Sequence, residues 1–122
     1  MTVLIVDDDA AIRFLCRVNL ELDGLRVVEA GHLDQARVAL AEEQVDVVLL
    51  DLHLGNERGL DLLHELRRDR PEVAVALLTG SPQSRSPEEE ARADAVITKP
   101  FEIEELGRTV RRLAERSARA RV

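Results

Sequence analysis

Short continuous apolar runs alternate along the chain with longer stretches whose apolar residues recur every three or four positions. Val3 to Val6 is the first run and reads as a strand buried on both faces. After Asp7-Asp8-Asp9, residues Ile12, Leu15, Cys16 and Leu22 recur at helical spacing. Acids at that helix start suit the helix dipole, and Gly24 supplies the stop. Residues 26–30 predict a second strand, and 33–43 a second helix with Ala36, Ala39 and Leu40 inward. A third strand is expected over 45–50, a third helix over 59–68 before Pro71, a fourth strand over 73–78 and a short fifth over 95–97. Ile103, Leu106, Val110 and Leu113 line one face of a last helix over 102–117. The polar stretch 81–94 gives the weakest pattern. Within it, Ser86-Pro87-Glu88-Glu89 reads as a helix cap followed by Pro and a capping Glu, predicting one or two exposed turns.

Five strands alternating with helices predict an α/β fold, with a parallel sheet covered on both faces by right-handed crossovers. The chain has 122 residues, 45% of them hydrophobic, which suits one domain and argues against disorder. The expected boundaries are a domain over 1–117 and a tail or start of a linker over 118–122. No apolar run approaches a membrane span, and the N-terminus lacks the basic start and cleavage site of a signal peptide. The expected location is therefore cytoplasmic. The single Cys16 can form neither an internal disulfide nor, alone, a zinc site, and is expected in the core.

The net charge of −7 argues against nucleic-acid binding as the main function. Residues 1–105 carry a balance of −12 and residues 106–122 one of +5. The Arg-rich end reads as a solvated helix face. Of 17 basic residues only Lys99 is a lysine, which singles it out because Lys and Arg do different chemistry.

Ligands of open α/β sheets bind beyond the carboxyl ends of the strands. The first strand ends in Asp7, Asp8 and Asp9, the third in Asp51, the fourth in Thr79-Gly80 and the fifth in Thr98-Lys99-Pro100. Each has an ordinary reading alone: the Asp triplet caps a helix, Asp51 is a strand-ending acid, Thr-Gly makes a turn, Lys99 is solvated. Together they predict several carboxylates, a hydroxyl and one ammonium on a shared rim. Crowded carboxylates repel unless a cation sits among them, and hard oxygen donors suit Mg²⁺. A lysine and a hydroxyl can bind phosphoryl oxygens, and a carboxylate can accept a phosphoryl group.

The segments VLIVDDD (3–9), VVLLDLHL (47–54), ALLTG (76–80) and ITKPF (97–101) resemble the receiver domain of two-component response regulators, CheY-like proteins. The resemblance covers nearly the whole chain. It implies a flavodoxin-like (βα)5 three-layer sandwich, with the parallel five-stranded sheet in the order 2-1-3-4-5. The helix between the fourth and fifth strands, within 81–94, is expected to be short or irregular. It further implies that Asp51 accepts a phosphoryl group from a sensor histidine kinase or histidine phosphotransfer protein. Asp8 resembles the direct Mg²⁺ ligand, Asp7 one acting mainly through water, and the His53 backbone carbonyl completes the protein ligands beside Asp51. Thr79 and Lys99 resemble the hydroxyl and lysine that engage the phosphoryl group, with a cis bond before Pro100 and room left by Gly80. Asp9 falls outside the pair and reads as a helix-start acid. The implied protein is a phosphorylation-dependent switch rather than an enzyme acting on an external metabolite. It acts on an unknown output domain or partner, without direct nucleic-acid or membrane binding by this domain. A homodimer stays open.

Several positions depart from the family pattern. Gly55 replaces the proline common four residues after the acceptor, so that loop is expected to be looser, whereas Gly59 matches. Val96 replaces an aromatic residue that changes rotamer on switching, and the stretch from Thr79 to Lys99 is shortened. Switching is therefore expected to run through the backbone of 80–95. The competing readings are a pseudo-receiver, an interaction module without phosphorylation-dependent switching, and a Mg²⁺-dependent aspartyl phosphatase, for which no cap segment is seen. His32 and His64 lack ligand-spaced partners, the His53 side chain lies beside the acceptor, and Phe101 is expected to pack beneath the rim.

Overall fold

A computed structural model describes residues 1–80 and 91–120. The elements are β1 (Thr2–Val6), α1 (Ala10–Leu22), β2 (Arg26–Ala30), α2 (Leu33–Glu42), β3 (Val47–Asp51), β4 (His53–Leu54), β5 (Glu57–Arg58), α3 (Gly59–Asp69), β6 (Ala74–Thr79), β7 (Ala95–Thr98) and α4 (Ile103–Ala120). The main sheet has five parallel strands in the order β2-β1-β3-β6-β7. With β6 and β7 as the fourth and fifth strands of the sheet, this is the 2-1-3-4-5 order. The capping sequence at 86–89 and most of the 80–95 segment lie outside the described residues.

Every residue of β3 and β6 is buried, which explains their unbroken apolar runs. Successive side chains point to opposite faces, so each strand feeds two cores. Leu4, Val6, Val48, Leu50, Val75 and Leu77 pack with α2 and α3. Val3, Ile5, Val47, Leu49, Ala76 and Leu78 pack with Cys16 and Leu20 of α1 and Leu106, Val110 and Leu113 of α4. Phe101 packs against this second core, as expected. Val96 sits against the first.

The inward face of α1 differs from the one read from apolar spacing. Cys16 and Leu20 are buried, Ile12 is half-buried, but Leu15 and Leu22 are exposed, together with Phe14 and Val18. The helix carries two apolar stripes, and spacing alone does not say which one meets the sheet. Helix α4 runs to Ala120, beyond the 117 read from the pattern. Its basic end is not wholly solvated. Arg111 pairs with Asp23, Arg116 with Asp94, and the Ser117 hydroxyl donates to the Glu72 carbonyl. Asp94 also accepts from Arg67 and from the Val75 N–H, so one carboxylate ties α3, β6 and α4 to the start of β7.

A short antiparallel hairpin, β4–β5, follows β3 and pairs His53 with Arg58 and Leu54 with Glu57. Two residues per strand are too few to leave a hydrophobic period, so this hairpin is not visible in the pattern.

Candidate acidic site at the strand ends

Register decides what meets at the rim. Val6 pairs with Leu50, so Asp7 and Asp51 are the next residues along adjacent strands. Asp51 in turn pairs with Leu78, and Thr79 with Thr98, leaving Lys99 one step beyond. The Lys99 N–H donates to the Thr79 carbonyl at 2.7 Å, and the Lys99–Pro100 bond is cis.

The side chains converge. Lys99 Nζ donates to Asp7 Oδ2 at 3.0 Å and to Asp51 Oδ2 at 3.3 Å. Asp7, Asp51 and Thr79 are buried, Asp8 is exposed and Lys99 half-buried. Each of the three carboxylates also accepts a backbone N–H: Asp7 from Asp9 at 2.9 Å, Asp51 from His53 at 3.0 Å, and Asp8 from Gly55 at 3.1 Å. Burial pushes the Asp7 carboxyl above its usual range, with the Asp51 charge adding to the effect, against hydrogen bonds from Asp9 and Lys99. Burial opposes the charge on Lys99, yet Asp7 and Asp51 together hold its ammonium above the ordinary value.

Oxygen atoms of Asp7, Asp8 and Asp51 all lie within 4.8 Å of one another. An all-oxygen donor set facing a rim with one ammonium fits a hard cation such as Mg²⁺. All the residues expected at the site therefore stand at one rim, including the backbone of His53. Asp9 caps α1, accepting from Ala11 and Ile12. His32 caps α2 by accepting from Gln35, and His64 is exposed on α3.

Two neighbours gave no sequence signal. The Arg13 guanidinium donates to the main-chain carbonyl of Asp7 and pairs with Glu29, fixing the end of β1. The loop at Gly55 meets Asp8 through the Gly55 N–H. Gly59 has the clearest reason for its identity: a Cβ there would stand 2.2 Å from the Asp51 carbonyl oxygen.

The model for the response regulator receiver domain matches residues 3–111. The chain belongs to this family. The receiver domain is 36% identical over 119 residues to the probable transcriptional regulatory protein TcrX of Mycobacterium tuberculosis, covering 96% of this chain and 51% of that protein. It spans about half the length of the curated relatives it matches. Among solved structures, a CheY-like receiver domain of Methanospirillum hungatei superposes with a TM-score of 0.86 at 27% identity, covering 98% of this chain and 97% of that one. The response regulator TrrA of Thermotoga maritima, solved with Mg(2+)-BeF, gives a TM-score of 0.83 at 28% identity, covering 92% and 97%. No helix among the described residues of the receiver domain is long and apolar enough to cross a membrane.

Proposed function

We propose that this receiver domain is phosphorylated on Asp51 by a histidine kinase or histidine phosphotransfer protein, with Mg²⁺ held by Asp7, Asp8, Asp51 and the His53 carbonyl. In this reading an Asp51 carboxylate oxygen attacks the phosphorus of a phosphohistidine. The new bond is an acyl phosphate, the P–N bond breaks, and the imidazole leaves with the electron pair and takes up a proton. Bound Mg²⁺ would supply positive charge to the carboxylates and to a phosphoryl oxygen. Lys99 exchanges its contact with the Asp51 carboxylate for a phosphoryl oxygen, and the Thr79 hydroxyl donates to another. Gly80, without a side chain, leaves room beside them.

The observation that carries this reading is Lys99 Nζ within 3.3 Å of both Asp7 and Asp51. That contact joins the ends of three strands into one charged cluster. Exposed Phe14, Leu15 and Val18 on α1, which starts at the same rim, offer an apolar surface to the donor protein. The domain turns over no external metabolite. It acts in the cytoplasm on an output domain or partner through a two-state surface.

Acetyl phosphate with Mg²⁺ tests the assignment. Intact-mass spectra should show one added phosphoryl group, absent in Asp51→Asn. A phosphorylated Asp51→Asn protein would overturn the acceptor. A wild type that stays unmodified and binds no Mg²⁺ would favour the pseudo-receiver reading.

A further inference from the structure

The Asp8 carboxylate is the exposed member of the acidic cluster, and its hydrogen-bonding partner lies 47 residues away. Gly55 N–H donates to its Oδ2 at 3.1 Å. Gly55 has φ of +60°, a left-handed conformation that suits glycine. A proline at this position could do neither job, because its φ is fixed near about −65° and it has no N–H. The glycine that replaces the family's proline therefore adds a donor to the site.

Gly55 sits at the turn of the β4–β5 hairpin, and that hairpin has its own anchor. The carboxylate of Glu57 accepts the N–H of Leu33, the first residue of α2, at 3.0 Å. A negative side chain at a helix N-terminus is favoured by the dipole and meets one of the unpaired N–H groups there. The anchored hairpin carries Gly55, whose N–H reaches Asp8, and His53, whose N–H reaches Asp51 Oδ1 at 3.0 Å.

We propose that Glu57 is a positioning residue for the cation site: it clasps the β4–β5 hairpin to α2, and the hairpin holds Asp8 through the Gly55 N–H. This rests on the reading of Asp7, Asp8 and Asp51 as a Mg²⁺ site. The Gly55 N–H holds Asp8 Oδ2, and Asp8 would offer a carboxylate oxygen to the cation. Without the clasp the carboxylate and the hairpin must be ordered when the cation binds, and affinity falls.

Calorimetric titration of the unphosphorylated protein with MgCl₂ tests this, together with the amide resonance of Gly55. Glu57→Ala should weaken Mg²⁺ binding about tenfold, the low end of what losing a metal ligand's outer partner costs, because it frees the hairpin that carries that partner, the Gly55 N–H. It should also move the Gly55 amide resonance upfield in the Mg²⁺-free protein. Glu57→Gln, which keeps an oxygen acceptor for Leu33, should restore both. Asp8→Ala should abolish binding. If Asp8→Ala binds Mg²⁺ like the wild type, the metal site itself is misassigned. If Asp8→Ala loses binding while Glu57→Ala keeps wild-type affinity and an unmoved Gly55 resonance, the metal site stands and the clasp is overturned. A lowered melting temperature in Glu57→Ala with both readouts unchanged would also overturn it, leaving Glu57 a cap of α2 only.

Discussion

The Lys99 ammonium lies 3.0 Å from Asp7 Oδ2, although 92 positions separate the two residues in the chain. Asp7 is fully buried and Lys99 half-buried, so the pair links the first strand of the sheet to the loop after its last. Burial and pairing win at different members of the cluster: pairing prevails at Lys99, whose ammonium is held above its ordinary value, and burial at Asp7. Asp7 keeps a raised proton affinity despite Lys99, since burial is the largest influence on it.

That direction gives a pH dependence for the Mg²⁺-free protein. A carboxyl with a raised native pKa holds its proton more tightly folded than unfolded. Its contribution favours the native state below the unfolded value of about 3.9 and is lost as pH rises through the native value. Asp7→Asn removes this loss. In EDTA, urea midpoints should show the variant gaining on the wild type as pH rises from about 4 towards 7. A constant difference across that range would contradict the raised pKa.

Gly59 stands beneath the expected acceptor, and a Cβ there would also lie 3.0 Å from Leu52 Cα. These neighbours are backbone and cannot swing aside. Gly59→Ala should displace the chain at Asp51 and Leu52 and destabilise the domain by about 1–3 kcal/mol, as overpacking does. An unchanged urea midpoint would contradict the close approach.

The two stripes of α1 can be told apart by substitution. Leu20 is fully buried and Leu22 is 79% exposed. Leu20→Ala should cost about 2–5 kcal/mol, whereas Leu22→Gln should stay within about 0.5 kcal/mol of wild type. Equal losses would mean that the helix is rotated about its axis.

Cys16 has no exposed surface, and burial pushes its thiol up from 9.0 to about 11, with the Asp7 charge adding to the effect. The thiolate is the reactive form, so its population falls about a hundredfold at neutral pH. A maleimide should label the native protein far more slowly than the urea-unfolded chain. Equal rates would place Cys16 at the surface.

The alternation of strand and helix was legible because buried parallel strands leave unbroken apolar runs such as Val47 to Leu50, while α4 leaves an apolar stripe at helical spacing. The rim residues were legible because such a sheet offers ligands the carboxyl ends of its strands. Other features were beyond a linear pattern. Which stripe of α1 faces inward depends on how the helix sits on the sheet. The β4–β5 hairpin is too short to have a period, and the bonds from Gly55 to Asp8 and from Glu57 to Leu33 join segments distant in sequence. Sequence by itself determined the fold class and the groups at the strand ends, because both follow from local periodicity and local order along the chain. Tertiary structure alone decided register, and with it the 3.0 and 3.3 Å contacts of Lys99, because register is fixed by packing and hydrogen bonding between strands that the chain order does not specify.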